Sequence, residues 1–242
     1  MSPAKAALLT SFAAAWLALP AYAQRPAFHA CTVDGVAARC GRVVVPVDRA
    51  RRHGPTIALK VVVLPALEKP VRRDAFTYLA GGPGGAATDF AADASSIWRA
   101  INLHHDILLV DQRGTGGSHP LECRGSPPAA AQKTLRPYVA ACLRRLRADP
   151  LQYGTMAAAD DLDAVRRTLG YRRLDLYGSS YGATLAQAFL IRHPRSVRTI
   201  VLDGATLVSI PFYSRFATNG QRALEAVAVS YTHLTLPTIL LV

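Results

Sequence analysis

Beyond its first 23 residues, this 242-residue chain has no uninterrupted apolar stretch of about 20 residues, which excludes a later membrane-spanning helix. Lysine is scarce as well. Of 28 basic residues only Lys5, Lys60, Lys69 and Lys133 are lysines, and against 16 acidic residues the formal net charge is +12. The arginines stand in small groups, such as Arg49, Arg51 and Arg52 or Arg144, Arg145 and Arg147, without interleaved aromatics or a nucleic-acid motif. They read as solvated helix faces and loop ends. A nucleic-acid partner is therefore set aside, while loose attraction to an anionic envelope surface fits the charge. None of the four cysteines has a C-x-x-C neighbour, which leaves zinc as the weaker use for them. No internal repeat occurs, and the reading calls for no metal and no cofactor.

The amino terminus has a short basic start at Lys5, an apolar stretch from Ala6 to Leu19, a breaker at Pro20 and small residues around Ala21-Tyr22-Ala23 before Gln24. That is the pattern of a secretory signal over residues 1–23 with an A-x-A cleavage site; a retained anchor helix is the alternative. No cysteine follows the cleavage site, so a lipid anchor is not expected. The mature protein is expected to be soluble, secreted or periplasmic, with no stable membrane insertion. In that compartment Cys31, Cys40, Cys123 and Cys142 are an even set expected to pair, most simply Cys31 with Cys40 and Cys123 with Cys142, because each pair closes a short loop. Each bridge contributes about 2–3 kcal/mol if it acts by restricting the unfolded chain.

The rest of the chain alternates short apolar runs with helical segments, the pattern of a sheet built from βαβ units. Gly41–Val47 and Ile57–Leu64 read as an antiparallel opening pair, followed by strands at Ala75–Leu79, His105–Val110, Leu174–Tyr177 and Thr199–Leu202. Helices are expected over Pro137–Arg147 and Thr155–Leu169, with Leu162, Val165 and Leu169 on one face of the second. Ser126–Gln132, rich in proline and alanine, reads as a surface loop.

Gly178-Ser179-Ser180-Tyr181-Gly182 lies between the strand ending at Tyr177 and a helical stretch from Ala183 to Arg192. A G-x-S-x-G string between strand and helix is the setting of a nucleophile elbow, which makes Ser180 the candidate catalytic nucleophile. A second glycine loop, Gly81-Gly82-Pro83-Gly84-Gly85, follows the Ala75–Leu79 strand and lets backbone N–H groups approach a substrate carbonyl. Acyl transfer through serine also needs a base and an acid, which in this arrangement follow the serine in the order acid, then histidine. Only His193 and His233 come after Ser180. His193 lies 13 residues on along the same helix, about 20 Å away, and reads as a cation near a helix C-terminus. Asp203 ends a strand beside the nucleophile strand and is a weak candidate acid. Asp111 and Arg113 read as a structural turn.

The ordered set Gly81–Gly85, Asp111-Gln112-Arg113-Gly114-Thr115-Gly116, Asp161-Leu162-Asp163, Gly178–Gly182 and Val201-Leu202-Asp203-Gly204 resembles the α/β-hydrolase peptidases of the proline iminopeptidase and secreted tripeptidyl aminopeptidase type. The resemblance runs from about Cys31 to Ala228. Cys31 to Cys40 followed by Val45-Pro46-Val47-Asp48 looks more like the exported tripeptidyl branch. It implies an α/β fold, a mostly parallel sheet with helices on both faces, and oxyanion donors at the backbone N–H groups of Gly82 and Tyr181. It also implies short peptides as substrates.

The family's acid and histidine follow a helical lid and two further strands. On that pattern residues 24–207 form the amino-terminal part of the core, incomplete at its far edge, and 208–228 the start of the lid. Tyr231–Val242, uncharged and without helical or strand logic, resembles a translated sequencing adapter, and residues 229–242 are expected to be an artefactual tail. An exported esterase or lipase-like hydrolase shares the same nucleophile and loop, and a catalytically inactive fragment or interaction domain is the reading from a different class.

Overall fold

The structure is a computed structural model that describes residues 27–51, 53–123, 135–146, 148–210 and 212–234. The signal segment, the Ser126–Gln132 loop and the last eight residues of the tail lie outside the described residues.

Seven strands form one mixed sheet: β1 (His29–Val33), β2 (Val36–Pro46), β3 (Thr56–Leu64), β4 (Ala75–Leu79), β5 (Ile107–Val110), β6 (Leu174–Ser179) and β7 (Val197–Asp203), in the spatial order β1-β2-β3-β5-β4-β6-β7. β1, β2 and β3 pair antiparallel and β3 meets β5 antiparallel, whereas β5, β4, β6 and β7 run parallel. The helices are α1 (Ala91–Ile97), α2 (Arg99–Asn102), α3 (Leu135–Arg145), α4 (Thr155–Leu169), α5 (Tyr181–Arg192) and α6 (Phe212–Leu234).

The central strands are apolar on both faces because both faces are covered. On one side Leu108, Val110, Leu174 and Leu176 pack with Leu162 and Val165 of α4 and Leu185 and Phe189 of α5. On the other, Phe76, Tyr78, Ile107 and Leu109 pack with Ala91 and Ala94 of α1. α4 stops at Gly170, whose left-handed φ of 80° closes the helix C-terminus at no steric cost.

The expected strands are present, with β2 beginning at Val36 and β5 at Ile107 rather than at Gly41 and His105. β1 was not anticipated: five residues carry too little periodicity, and the strand is fixed by pairing with β2 and by the Cys31–Cys40 bridge across that pair. The Cys123–Cys142 bridge is also formed.

One expectation is corrected. α6 runs unbroken from Phe212 to Leu234, so Tyr231–Leu234, read as lacking helical or strand logic, are helical. Extending an existing helix by a residue fixes one more pair of dihedrals for one more hydrogen bond, whereas starting one is costly, so a segment without its own helical pattern can continue the helix before it. At the far edge of the sheet, Val201 and Leu202 of β7 are 49% and 41% exposed.

Candidate active site

The parallel strands end together at the Gly81–Gly85 loop after β4, the turn after β5, Ser180 after β6 and Asp203 as the last residue of β7. Ser180 occupies the link between β6 and α5 with φ 53° and ψ −117°, a conformation that costs a side-chain-bearing residue about 1–3 kcal/mol. Its neighbours make the turn feasible. A Cβ on Gly182 would strike the Leu79 carbonyl, and one on Gly178 the Gly182 carbonyl, so only glycine lets strand and helix close this tightly. The Ser180 N–H donates to the Asp203 carbonyl at 2.8 Å and its carbonyl accepts from Ala183 N–H at 2.9 Å, which pins the residue on both sides.

The glycine loop lies against this elbow. A Cβ on Gly81 would sit 3.0 Å from that of Ser180 and 2.8 Å from the Ser179 carbonyl oxygen, and Gly82 adopts φ 120°. Tyr181 opens α5, with its backbone N–H in the first turn where helix N–H groups have no intrahelical acceptor. Its hydroxyl is 2.8 Å from the Thr155 hydroxyl at the start of α4, a tie that nothing in the local sequence announces. Ser180, Tyr181 and Gly81 are thus neighbours at one point of the rim, with Gly82 next along the glycine loop.

The turn after β5 is structural, as expected. Asp111 accepts from the Thr88 N–H and hydroxyl and from Gly117 N–H. Arg113, its side chain fully buried, makes two 2.6 Å bonds to Asp161 and donates to the Val47, Gln152 and Pro46 carbonyls. Arg49 adds a third bond to Asp161 at 2.6 Å. This network ties the rim to α4.

No histidine among the described side chains bonds to Ser180. His193 caps the far end of α5, 2.9 Å from Asp160 and 3.8 Å from Asp163. His105 faces the Asp74 carbonyl at the opposite end of the strands, and His119 pairs with Tyr153. His233 lies on α6, and its side chain is outside the described residues. Asp203 is engaged by a tyrosine rather than by an imidazole: Tyr177 Oη donates to its Oδ2 at 2.9 Å. That hydrogen bond first, then burial and the carboxylate's charge, raise the Tyr177 hydroxyl above the ordinary tyrosine range. Burial, followed by the charges of Asp203 and Asp93, raises Tyr78 in the same way. Among the described residues no group of three His, Cys, Asp or Glu side chains could hold a metal ion, and no helix is long and apolar enough to cross a membrane.

The chain is similar to tripeptidyl aminopeptidase of Streptomyces lividans, with 31% identity over 186 residues, 68% of this chain and 35% of that protein. Serine protease Hip1 of Mycobacterium tuberculosis is 28% identical over 188 residues, 69% of this chain and 36% of the protease. Carboxylesterase B of Mycobacterium tuberculosis is 33% identical over 199 residues, 74% of this chain and 38% of the esterase. The chain thus spans about a third of the length of these curated relatives. A family model described as the alpha/beta hydrolase fold matches residues 76–225, more than half of the chain and all of the rim from the glycine loop to Asp203. The chain belongs to the alpha/beta hydrolase fold family.

Proposed function

We propose that this hydrolase is an exported serine aminopeptidase that removes amino-terminal residues from short peptides through an acyl-enzyme on Ser180. The observation that carries the reading is the elbow itself: a serine at positive φ, between glycines whose added Cβ would strike backbone, with Gly81 of the glycine loop pressed against it. Ser180 Oγ attacks the scissile carbonyl carbon, the amine leaves with a proton, and water then cleaves the ester to regenerate the hydroxyl. The backbone N–H groups of Gly82 and Tyr181 are the donors for the oxyanion, with the N-terminus of α5 favouring negative charge at the same place. Losing one such donor costs about 2.7–4 kcal/mol of transition-state stabilisation.

No histidine bonds to Ser180 among the described side chains, and Asp203, one strand away, is held by Tyr177 rather than by an imidazole, so Ser180 and the oxyanion donors are the parts of the machinery in this reading. Export rests on the amino-terminal pattern and fits the two disulfides. The aminopeptidase relative supports peptides over esters, while carboxylesterase B favours the second reading, an exported esterase.

A fluorophosphonate probe followed by peptide mapping tests the nucleophile: label is expected on Ser180 and absent after Ser180→Ala. Strong, pH-dependent labelling of the 242-residue chain would show that a base is at hand. Turnover of acyl esters with none of peptide-coumarin substrates would sink the peptidase reading.

A further inference from the structure

Asp203 stands one strand away from the nucleophile. It lies opposite Ser179 in the parallel β6–β7 ladder, and its carbonyl accepts the Ser180 N–H. Residues in register on neighbouring strands project to the same face, so Asp203 shares its face with Ser179 and Tyr177. Tyr177 holds one carboxylate oxygen at 2.9 Å. Among the described residues no lysine, arginine or histidine forms an ion pair with Asp203, in a chain whose net charge is +12.

The opposite end of the same strands is the reverse. Asp175 of β6 is bound by Arg198 and Thr199, and Asp74, just before β4, has Arg172, Arg173 and Arg198 within 3.8 Å. Arginines therefore neutralise Asp74 and Asp175 at the end far from Ser180, whereas Asp203 beside it has no such partner among the described residues. Behind that carboxylate the Tyr177 ring lies 5.3 Å from Trp98, which lies 5.2 Å from Tyr78, forming an apolar wall whose negative ring faces also favour a cation. Asp93 of α1 adds negative potential on the same side.

We infer that the Asp203 carboxylate binds the α-ammonium group of the peptide whose carbonyl is presented to Ser180, with Tyr177 as the residue that orients it. The inference rests on the aminopeptidase reading and names how that site would recognise a free amino terminus. Neighbouring strands lie about 4.8 Å apart and an extended residue spans about 3.3–3.6 Å, so an ammonium held one strand from the nucleophile belongs to an acyl fragment of one or two residues. An acetylated terminus has no charge to offer, so the ion pair is lost while the exposed carboxylate keeps Tyr177 and water as partners.

Binding to the Ser180→Ala chain, where no turnover intervenes, provides the test. Calorimetry would compare trialanine amide with its N-acetyl form. The free amine is expected to bind about tenfold tighter or more. Asp203→Asn should remove that difference, and Asp203→Glu should restore part of it. Equal affinity of the two peptides, an amine preference that survives Asp203→Asn, or no binding of either peptide would overturn the inference. Because this readout is independent of peptide turnover, its failure is separate from a failure of Ser180 to react in the wild-type chain.

Discussion

Asp161 of α4, which holds Arg113 of the rim, and Asp203 at the end of β7 are both carboxylates, yet they have opposite surroundings. Asp161 is 4% exposed at its side chain and meets two guanidinium groups, Arg113 and Arg49, each at 2.6 Å. Asp203 is exposed, has a tyrosine hydroxyl as its side-chain partner and lies next to the nucleophile. The contrast separates charge used to hold the fold from charge left available. In the first place every donor is matched within the chain; in the second the match has to come from a ligand.

Breaking the first member should have the largest effect. Arg113 keeps its fully buried guanidinium whatever stands at position 161, so Asp161→Ala leaves an unpaired positive charge inside the protein. The expected loss is about 3–5 kcal/mol of folding stability, measured by urea denaturation. A loss below about 1 kcal/mol would mean that water reaches Arg113 and that this network does not tie the rim to α4.

Asp160 and Asp163 lie between the two extremes. Burial alone would raise the Asp160 carboxyl, but hydrogen bonds and charge from Arg192 and His193 outweigh it and hold it below the usual range. Burial acts on Asp163 in the same direction and is outweighed by Arg166, Ser196 and His193. A carboxylate whose folded pKa is depressed adds stability that is fully present above its unfolded value and is lost as pH falls through the folded one. Unfolding free energy should therefore be flat near neutrality and drop on acidification, with the loss due to this pair developing below about pH 4. Asp160→Asn with Asp163→Asn should make the acid limb shallower; an unchanged limb would assign acid sensitivity to other groups.

These networks also explain what the sequence could reveal. β4, β6 and α4 were legible because periodicity and apolar runs report local geometry, and the Ser180 elbow because two glycines in fixed register have a steric reason to be there. The partners of the site were not. Arg113 with Asp161, Thr155 with Tyr181 and Tyr177 with Asp203 join residues 48, 26 and 26 positions apart, and their pairing is decided by sheet order and helix docking. For Tyr177 and Asp203 a partial signal existed: both fall on alternate positions of strands that the β6–β7 register brings side by side. The end of α6 at Tyr231–Leu234 was not legible for the converse reason, since a composition without helical pattern says nothing about a helix already under way.

The smallest expected effect is the one that gives the comparison its meaning. Asp203→Asn removes a charge that no cation within the described chain neutralises, and the ladder bond at that position is made by the backbone carbonyl, which the substitution keeps. Tyr177 can still donate to the amide oxygen. Stability should therefore stay within about 0.5 kcal/mol of the wild type, as for surface substitutions that touch no structural network. A loss comparable to that of Asp161→Ala would place Asp203 among the structural charges and remove the reason for regarding it as free to receive a ligand. A near-silent melt, joined to a lost preference for free amines, is the combination that only a recognition role produces.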